Sequence, residues 1–554
     1  MDPVSNVVYD QNTTLPSCGF HRIGYKFIGW ATTANGTVAY ADAATAILNL
    51  TTTDGGSATL FAKWDTDIYY FKGTGEEGHK FEWNNPANWE GGVVPTNPYA
   101  EIHLEYGVHI EEGEEYHVGK VVIKPGYTLT LFCGGVLEVA GTITREGGVA
   151  TEATDISFAS AGSSQSALIF NNPSGDAQTK ASVSLYATGH YDPSTIGYTF
   201  QYVAVPLTSV DVATSFSGQY VYTYVWNEGK GWERRGYYSS IMGFEALGVT
   251  TRDGLGFSTR GTLVSTENLT HSLTYTADAT YGEENIAGMN MFGNSWTAPV
   301  KIAACNITGY AESTIYLYNC STSSWTGFPI SSAGDNVIPA MQAYCVLANS
   351  GGGTLTIDYD AAVRGNTAKR TAPLRAPKRS ASENNDHITL YVSDGQRETN
   401  LRLYEDEQFT DEFDNGWEAR YIEGEGISGE LYVQTFDKMT VLATSDLEGS
   451  VVGFVPGISS NYTISFEGDG MGYYLNDMLT QQSTLIAEGN TYMFTPEENS
   501  NATRFVISRT PIHQMPTGVG AIKNGTNACK QMINGILYII RDGKIYNAEG
   551  ALVK

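Results

Sequence analysis

Apolar and polar residues alternate in short runs along most of this chain. GYKFIGW, YVYTYVWNEGKGW, STIYLYNCSTSSWTG, GELYVQTF and NYTISFE are short runs rich in aromatic and β-branched residues, and in NYTISFE the apolar positions recur every second residue, the pattern of a strand that buries one face. Gly, Asn and Asp clusters separate the runs, and β-branched and aromatic residues fill them, which is the chemistry of strands joined by tight turns. The sequence therefore predicts an all-β protein. With 554 residues it exceeds what one hydrophobic core usually spans, so a modular chain of roughly 100–150 residues per unit is expected.

The rhythm of the pattern changes along the chain and divides it. Residues 1–65 read as a small module. Its strand signals are VSNVVY, GYKFIGW, TVAY and ATLFAKW, and Tyr25, Phe27, Trp30, Tyr40, Phe61 and Trp64 are candidates for its core. Residues 66–175 carry runs of only three to five residues (IHL, VHI, YHV, KVVI, TLTLF, VLEV, TIT), a spacing suited to stacked solenoid rungs and also to a meander of hairpins. Longer strands with Trp at intervals fill 176–363, as expected of a first β-sandwich. The basic stretch RGNTAKRTAPLRAPKRSASENND, 364–386, has little to bury and reads as an exposed linker. Nine candidate strands in 387–510 suffice for a second sandwich. A spacer and a hairpin around Asp542-Gly543 close the chain at 511–554.

Several of these runs carry resemblances. VVYDQNTTLP, GYKFIGWATTANGTVAY and ATLFAKW resemble one copy of the Listeria/Bacteroides repeat, the internalin B-type repeat of bacterial surface proteins, which implies a β-grasp-like module. NWEGGVVPT with GYTLTLFCGGVLEVAGTIT resembles the opening of β-helical segments in secreted adhesin-like proteins. GNSWTAPV, IYLYNCSTSSW and IPAMQAYCV resemble a domain of secreted Bacteroidetes proteins, with Ser295 standing where that pattern has proline. YEDEQFTDEFDNGWEARY is similar to the acidic loop of a following sandwich in the same proteins. INGILYIIRDGKIYNAEGALVK resembles a shortened C-terminal sorting domain, which implies the type IX secretion machinery as a partner.

Charge removes one class of function. Sixty acidic residues against 32 basic ones give a net charge of −28, which repels nucleic acid and anionic membranes. No run of eighteen apolar residues suggests a membrane span. The opening MDPVSNVVYD has neither the basic nor the apolar region of a signal peptide, so either a cytoplasmic chain or one whose export signal was removed is expected. The resemblances favour the second, a secreted or outer-surface location. Six cysteines are too few for a disulfide scaffold and form no CxxC pair. Only Cys305, Cys320 and Cys345 lie near enough in sequence to invite pairing.

Candidate chemistry is sparse. Two GxGxxG stretches, Gly73–Gly78 and Gly424–Gly429, lack the following helix that would face a pyrophosphate, and acidic residues within them oppose phosphate, so turn glycines are expected. His103, His109 and His117 occupy three successive short strands. If they shared a face they could hold a metal, whereas alternation alone points them outward as unligated side chains. Asp406, Asp411, Glu412 and Asp414 offer oxygen ligands for calcium without the EF-hand spacing, and a solvated acidic loop is the plainer account. No nucleophile elbow, HExxH or Walker loop is present, so no cofactor and no catalysis are expected. Trp226, Trp232, Trp325 and Trp417 lie near hairpin ends, where a ring packs into a sandwich core or stacks on a sugar. These features predict an adhesin-like structural protein of the cell surface with a glycan or protein partner. A carbohydrate-binding protein is the alternative.

Overall fold

The computed structural model describes residues 4–512 except 6, 133, 147–155, 160–166, 171–178, 186–190, 193–196, 216–220, 252–256, 363–385, 411, 469, 471 and 498–500, together with the strands Ala528–Ile533, Ile536–Arg541 and Lys544–Asn547. Strands dominate, and the one described α-helix is Val212–Ser215. The fold is all-β and modular.

The first module pairs Tyr25–Ala31 with Phe61–Thr66 in an antiparallel ladder that sets Phe27 opposite Trp64. Its buried cluster is Leu15, Trp30 and Ile47, flanked by Phe27 and Tyr40. The expected strand VSNVVY does not form. Val7, Val8 and Tyr9 have no strand partner and are about half exposed. Phe61, expected inside, is also exposed, because its strand has no second layer to cover that face.

Parallel pairing decides between solenoid and meander. Ile68–Phe71, Glu101–Leu104, Lys120–Ile123 and Ile143–Arg145 stack in parallel register as one sheet. Val108–Ile110, Leu129–Leu131, Ile156–Phe158 and Lys180–Leu185 form a second, and Glu115–Val118, Val136–Val139 and Ala167–Phe170 a third. Each rung thus contributes one strand to each of three faces. Alternate residues such as Ile102, Leu104, Val108, Ile110 and Val118 point inward and are fully or almost fully buried. Phe257–Thr262 closes the second sheet by pairing antiparallel with Lys180–Leu185. The same apolar cluster continues through Val203, Leu207, Val225 and Leu247 to Met341, so the core crosses residue 175 without a break.

Beyond it, the sixteen-residue strand Ala343–Asp358 organises a six-stranded sheet. Its first half pairs with Met289–Gly293 and Thr314–Asn319, its second with Asn268–Leu273 and Asn306–Ala311. Gly351, Gly352 and Gly353 mark the change of partners. Gly351 and Gly352 sit at φ 117° and 66°, and a β-carbon on Gly353 would lie 2.3 Å from the Thr308 carbonyl. Eleven strands from Asp386–Ser393 to Phe505–Ser508 build the last large sheet around Leu390, Leu403, Phe454, Ile464 and Phe505. The chain-terminal strands form a three-stranded antiparallel sheet, in which Ile536–Arg541 pairs with Lys544–Asn547 across residues 542–543.

The suggested disulfide trio does not pair. Cys305 and Cys345 are free, buried thiols, and burial pushes Cys305 up to about 12. No disulfide involves Cys320.

Candidate functional site

Three of the four flagged tryptophans converge. Trp226 and Trp232 are cross-strand partners in the hairpin of Val221–Asn227 and Gly231–Arg234, with rings edge-on at 5.2 Å. The Glu228 carboxylate anchors the hairpin's turn by accepting from the backbone N–H groups of Thr276 and Gly288, both at 2.7 Å. Trp325 lies opposite Tyr318 in the hairpin of Thr314–Asn319 and Ser324–Pro329. Tyr202 links the two hairpins. Its ring stacks on Trp232 at 4.8 Å, lies 4.4 Å from Tyr318 and 5.9 Å from Trp325. Trp417 belongs to the same apolar cluster but packs on Phe409.

Much of each ring is covered by another ring, and the Trp226 indole N–H is used by the Met289 carbonyl at 2.6 Å. Core packing therefore explains a large part of these aromatics.

Carboxylates border this aromatic column on two sides. The short hairpin of Thr280–Tyr281 and Glu284–Asn285 packs beside Trp232, where a β-carbon on Gly231 would fall 2.3 Å from the Tyr281 ring. The loop after Arg420 packs beside Trp325, where the Glu425 backbone N–H donates to the Ser323 carbonyl at 2.9 Å. Glu284, Glu423 and Glu425 are all exposed along these edges. Desolvation raises the Glu284 carboxyl, and the Glu423 charge adds to it. Desolvation likewise raises Glu425, with Glu284 adding. Deeper in, burial pushes Glu430 up to about 8. Sequence reasoning missed these residues, although Glu423 and Glu425 alternate in IEGEG and so signal two acids on one face.

The remaining candidates are not brought together. His103, His109 and His117 fall on the three different sheets of one rung, so they do not share a face. Each faces local partners instead. His103 meets Glu101 at 2.8 Å, His109 stacks on Phe81, and His117 sits between Glu115 and Glu138. Among the described residues no group of three His, Cys, Asp or Glu could hold a metal ion. Asp406 accepts from the Gln408 N–H, and Asp414 accepts from the Thr410 N–H and hydroxyl, so both carboxylates close their own loop. Asp411 lies outside the described residues. Neither GxGxxG stretch opens a helix. A β-carbon on Gly73 would strike the Tyr106 ring at 2.2 Å, and Gly429 packs on Tyr462 and Phe454. No described helix is long and apolar enough to cross a membrane.

No family profile matches the chain, and no solved structure matches it. Among curated proteins it is similar to the minor fimbrium subunit Mfa5 of Porphyromonas gingivalis, 24% identical over 494 aligned residues. The match takes in 79% of this chain but only 39% of that protein's length. In sequence over most of its length, this all-β chain resembles part of a bacterial fimbrial subunit.

Proposed function

We propose that the chain is an adhesin-like structural piece of a fimbrium-type surface fibre in a Bacteroidetes-type bacterium and performs no catalysis. The observation that carries this reading is the similarity to the fimbrial subunit over 79% of the chain. The serial all-β build and the interlocked sheets suit a load-bearing protein outside the cell. Export through the type IX secretion machinery, implied by the C-terminal resemblance, belongs to the same reading. Immunogold labelling of intact cells of the source bacterium with antibodies to the purified chain tests it. Gold along surface fibres is expected, and label confined to the cell interior overturns it.

A second reading, carbohydrate binding at Trp226, Trp232 and Trp325, draws on the convergence of these rings, while their mutual stacking counts against it. A glycan array run with and without calcium, alongside the Trp232→Ala and Trp325→Ala variants, decides it. Saturable binding lost in both variants supports a sugar site, and silence under both conditions removes it.

A further inference from the structure

Between the strands before and after residues 363–385 lies a buried positive charge that no described residue balances. Arg402 belongs to Glu398–Glu405, in which Leu401 and Leu403 face the core of the last large sheet. Alternation turns Arg402 to the other face, against Ser324–Pro329. There it is 1% exposed, with its guanidinium over the Phe328 ring and one N–H donated to the Gly327 carbonyl. Nε and Nη1 have no acceptor among the described residues. Arg235, Arg397, Arg420, Arg504 and Arg509 each pair with a carboxylate. Among the described residues Arg402 has no such partner.

The neighbouring strands bring another donor to this face. Thr389 is the cross-strand partner of Arg402, so their side chains lie side by side, and it is 2% exposed. The next residue along that register is Glu467, whose carboxylate accepts from the Tyr391 hydroxyl. The surroundings are otherwise apolar and tight: a β-carbon on Gly327 would fall 2.5 Å from that of Ala419 and 3.0 Å from the Tyr316 ring. A guanidinium does not lose its proton in proteins, so its burial cannot be relieved by neutralisation. Water would complete the hydrogen bonds and leave the charge, whereas an anion answers both at once.

We propose that Arg402, with the Thr389 hydroxyl beside it, binds one small inorganic anion of the chloride type at this interface. This goes beyond the fibre-subunit reading, which neither requires it nor fails with it. The anion accepts from Nε and Nη1, and its charge offsets that of the guanidinium where the dielectric is low. Enclosure by Phe328 and Gly327 sets the size, so phosphate, sulfate and organic acids are excluded. Because Arg402 lies on one region and Gly327 on the other, the bound anion strengthens the contact between them.

The test follows urea unfolding of the full chain in sodium chloride, with sodium gluconate holding the ionic strength constant. Between 1 and 100 mM chloride the folding constant of the parent is expected to rise about tenfold, the linkage of a site with a dissociation constant of about 10 mM. Bromide should reproduce the rise. Arg402→Met is expected to abolish it, so that this variant is the more stable form at low chloride and loses its advantage as chloride rises. Arg509→Met, which removes a paired cation elsewhere, is expected to keep the response. An equal response in Arg402→Met overturns the proposal, since screening of the chain's negative charge would then suffice, and so does a parent that does not respond. Crystals of the parent grown in bromide give a readout that needs no variant. An anomalous peak within hydrogen-bond distance of Arg402 Nε and Nη1 is expected, and density there without anomalous signal overturns the proposal in favour of water.

Discussion

At the scale of single residues, buried polar groups fall into two kinds with opposite consequences. Asn294, 2% exposed, donates through its amide to the carbonyls of Ala298, Ile338 and Pro339 and accepts from the Trp296 N–H. Ser295, beside it, accepts the Phe244 N–H at 2.7 Å through its hydroxyl. That bond steadies a residue held at φ 66°. Replacing Asn294 with alanine orphans several buried groups together, and a loss of about 2–4 kcal/mol is expected from urea unfolding. Arg402 is the opposite case. It is 1% exposed, donates to the Gly327 carbonyl, lies over the Phe328 ring, and leaves Nε and Nη1 without a partner. A buried charge without a carboxylate is destabilising, so Arg402→Met should raise the urea midpoint, by about 1–2 kcal/mol in stability. A lowered midpoint would show that the bond to Gly327 outweighs the desolvation of the charge.

At the scale of elements, the carboxylates on the strands and loops of the last large sheet make its stability depend on pH. Burial pushes Glu418 up to about 7 and Glu430, at the start of Glu430–Gln434, up to about 8, both from 4.5. A carboxyl whose folded value is raised favours the folded state while both states are protonated. The unfolded chain then ionises first as pH rises. The contribution is therefore fully present below about 4.5 and is lost progressively up to about 8. Denaturant midpoints are expected to fall from pH 5 to pH 8, and Glu430→Gln should flatten that slope. An unchanged slope would place the pH dependence in the general repulsion of a chain carrying −28. In the solenoid, burial alone sets the effect. Leu129 is wholly buried within the rungs, and Leu129→Ala should destabilise by about 2–5 kcal/mol.

At the scale of the whole molecule, the strands before and after residues 363–385 share one interface. Arg420 pairs with Glu312, whose side chain is 1% exposed, and the Tyr316 hydroxyl donates to that carboxylate and accepts the Arg420 N–H. Asn415 adds bonds to the Ser313 N–H and the Ala311 carbonyl, and Tyr202, Tyr316, Tyr404, Phe409 and Val441 fill one apolar cluster between them. Removing one partner leaves a buried charge alone, so Arg420→Ala should cost about 3–5 kcal/mol. Calorimetry is expected to show the two regions unfolding together in the parent and separately in the variant. A single transition in both would mean that the apolar cluster couples them without the ion pair.

The sequence by itself determined the all-β class, the short rungs, the turn role of both glycine motifs and the outward direction of the three histidines. Each follows from residue alternation and local turn chemistry, which need no distant partner. The terminal hairpin pairing around 542–543 was legible for the same reason. Only the tertiary structure decided that the rungs pair in parallel on three faces, because meander and solenoid share a strand pattern and differ in which strands meet. It alone separated His103, His109 and His117 onto different sheets, left Val7 and Val8 without a strand partner, and kept Cys305 and Cys345 apart. It also set Tyr202 between Trp232 and Trp325 and brought Glu284 to Glu423 and Glu425 across more than a hundred residues. Such contacts are fixed by packing between sheets, and no local periodicity encodes them.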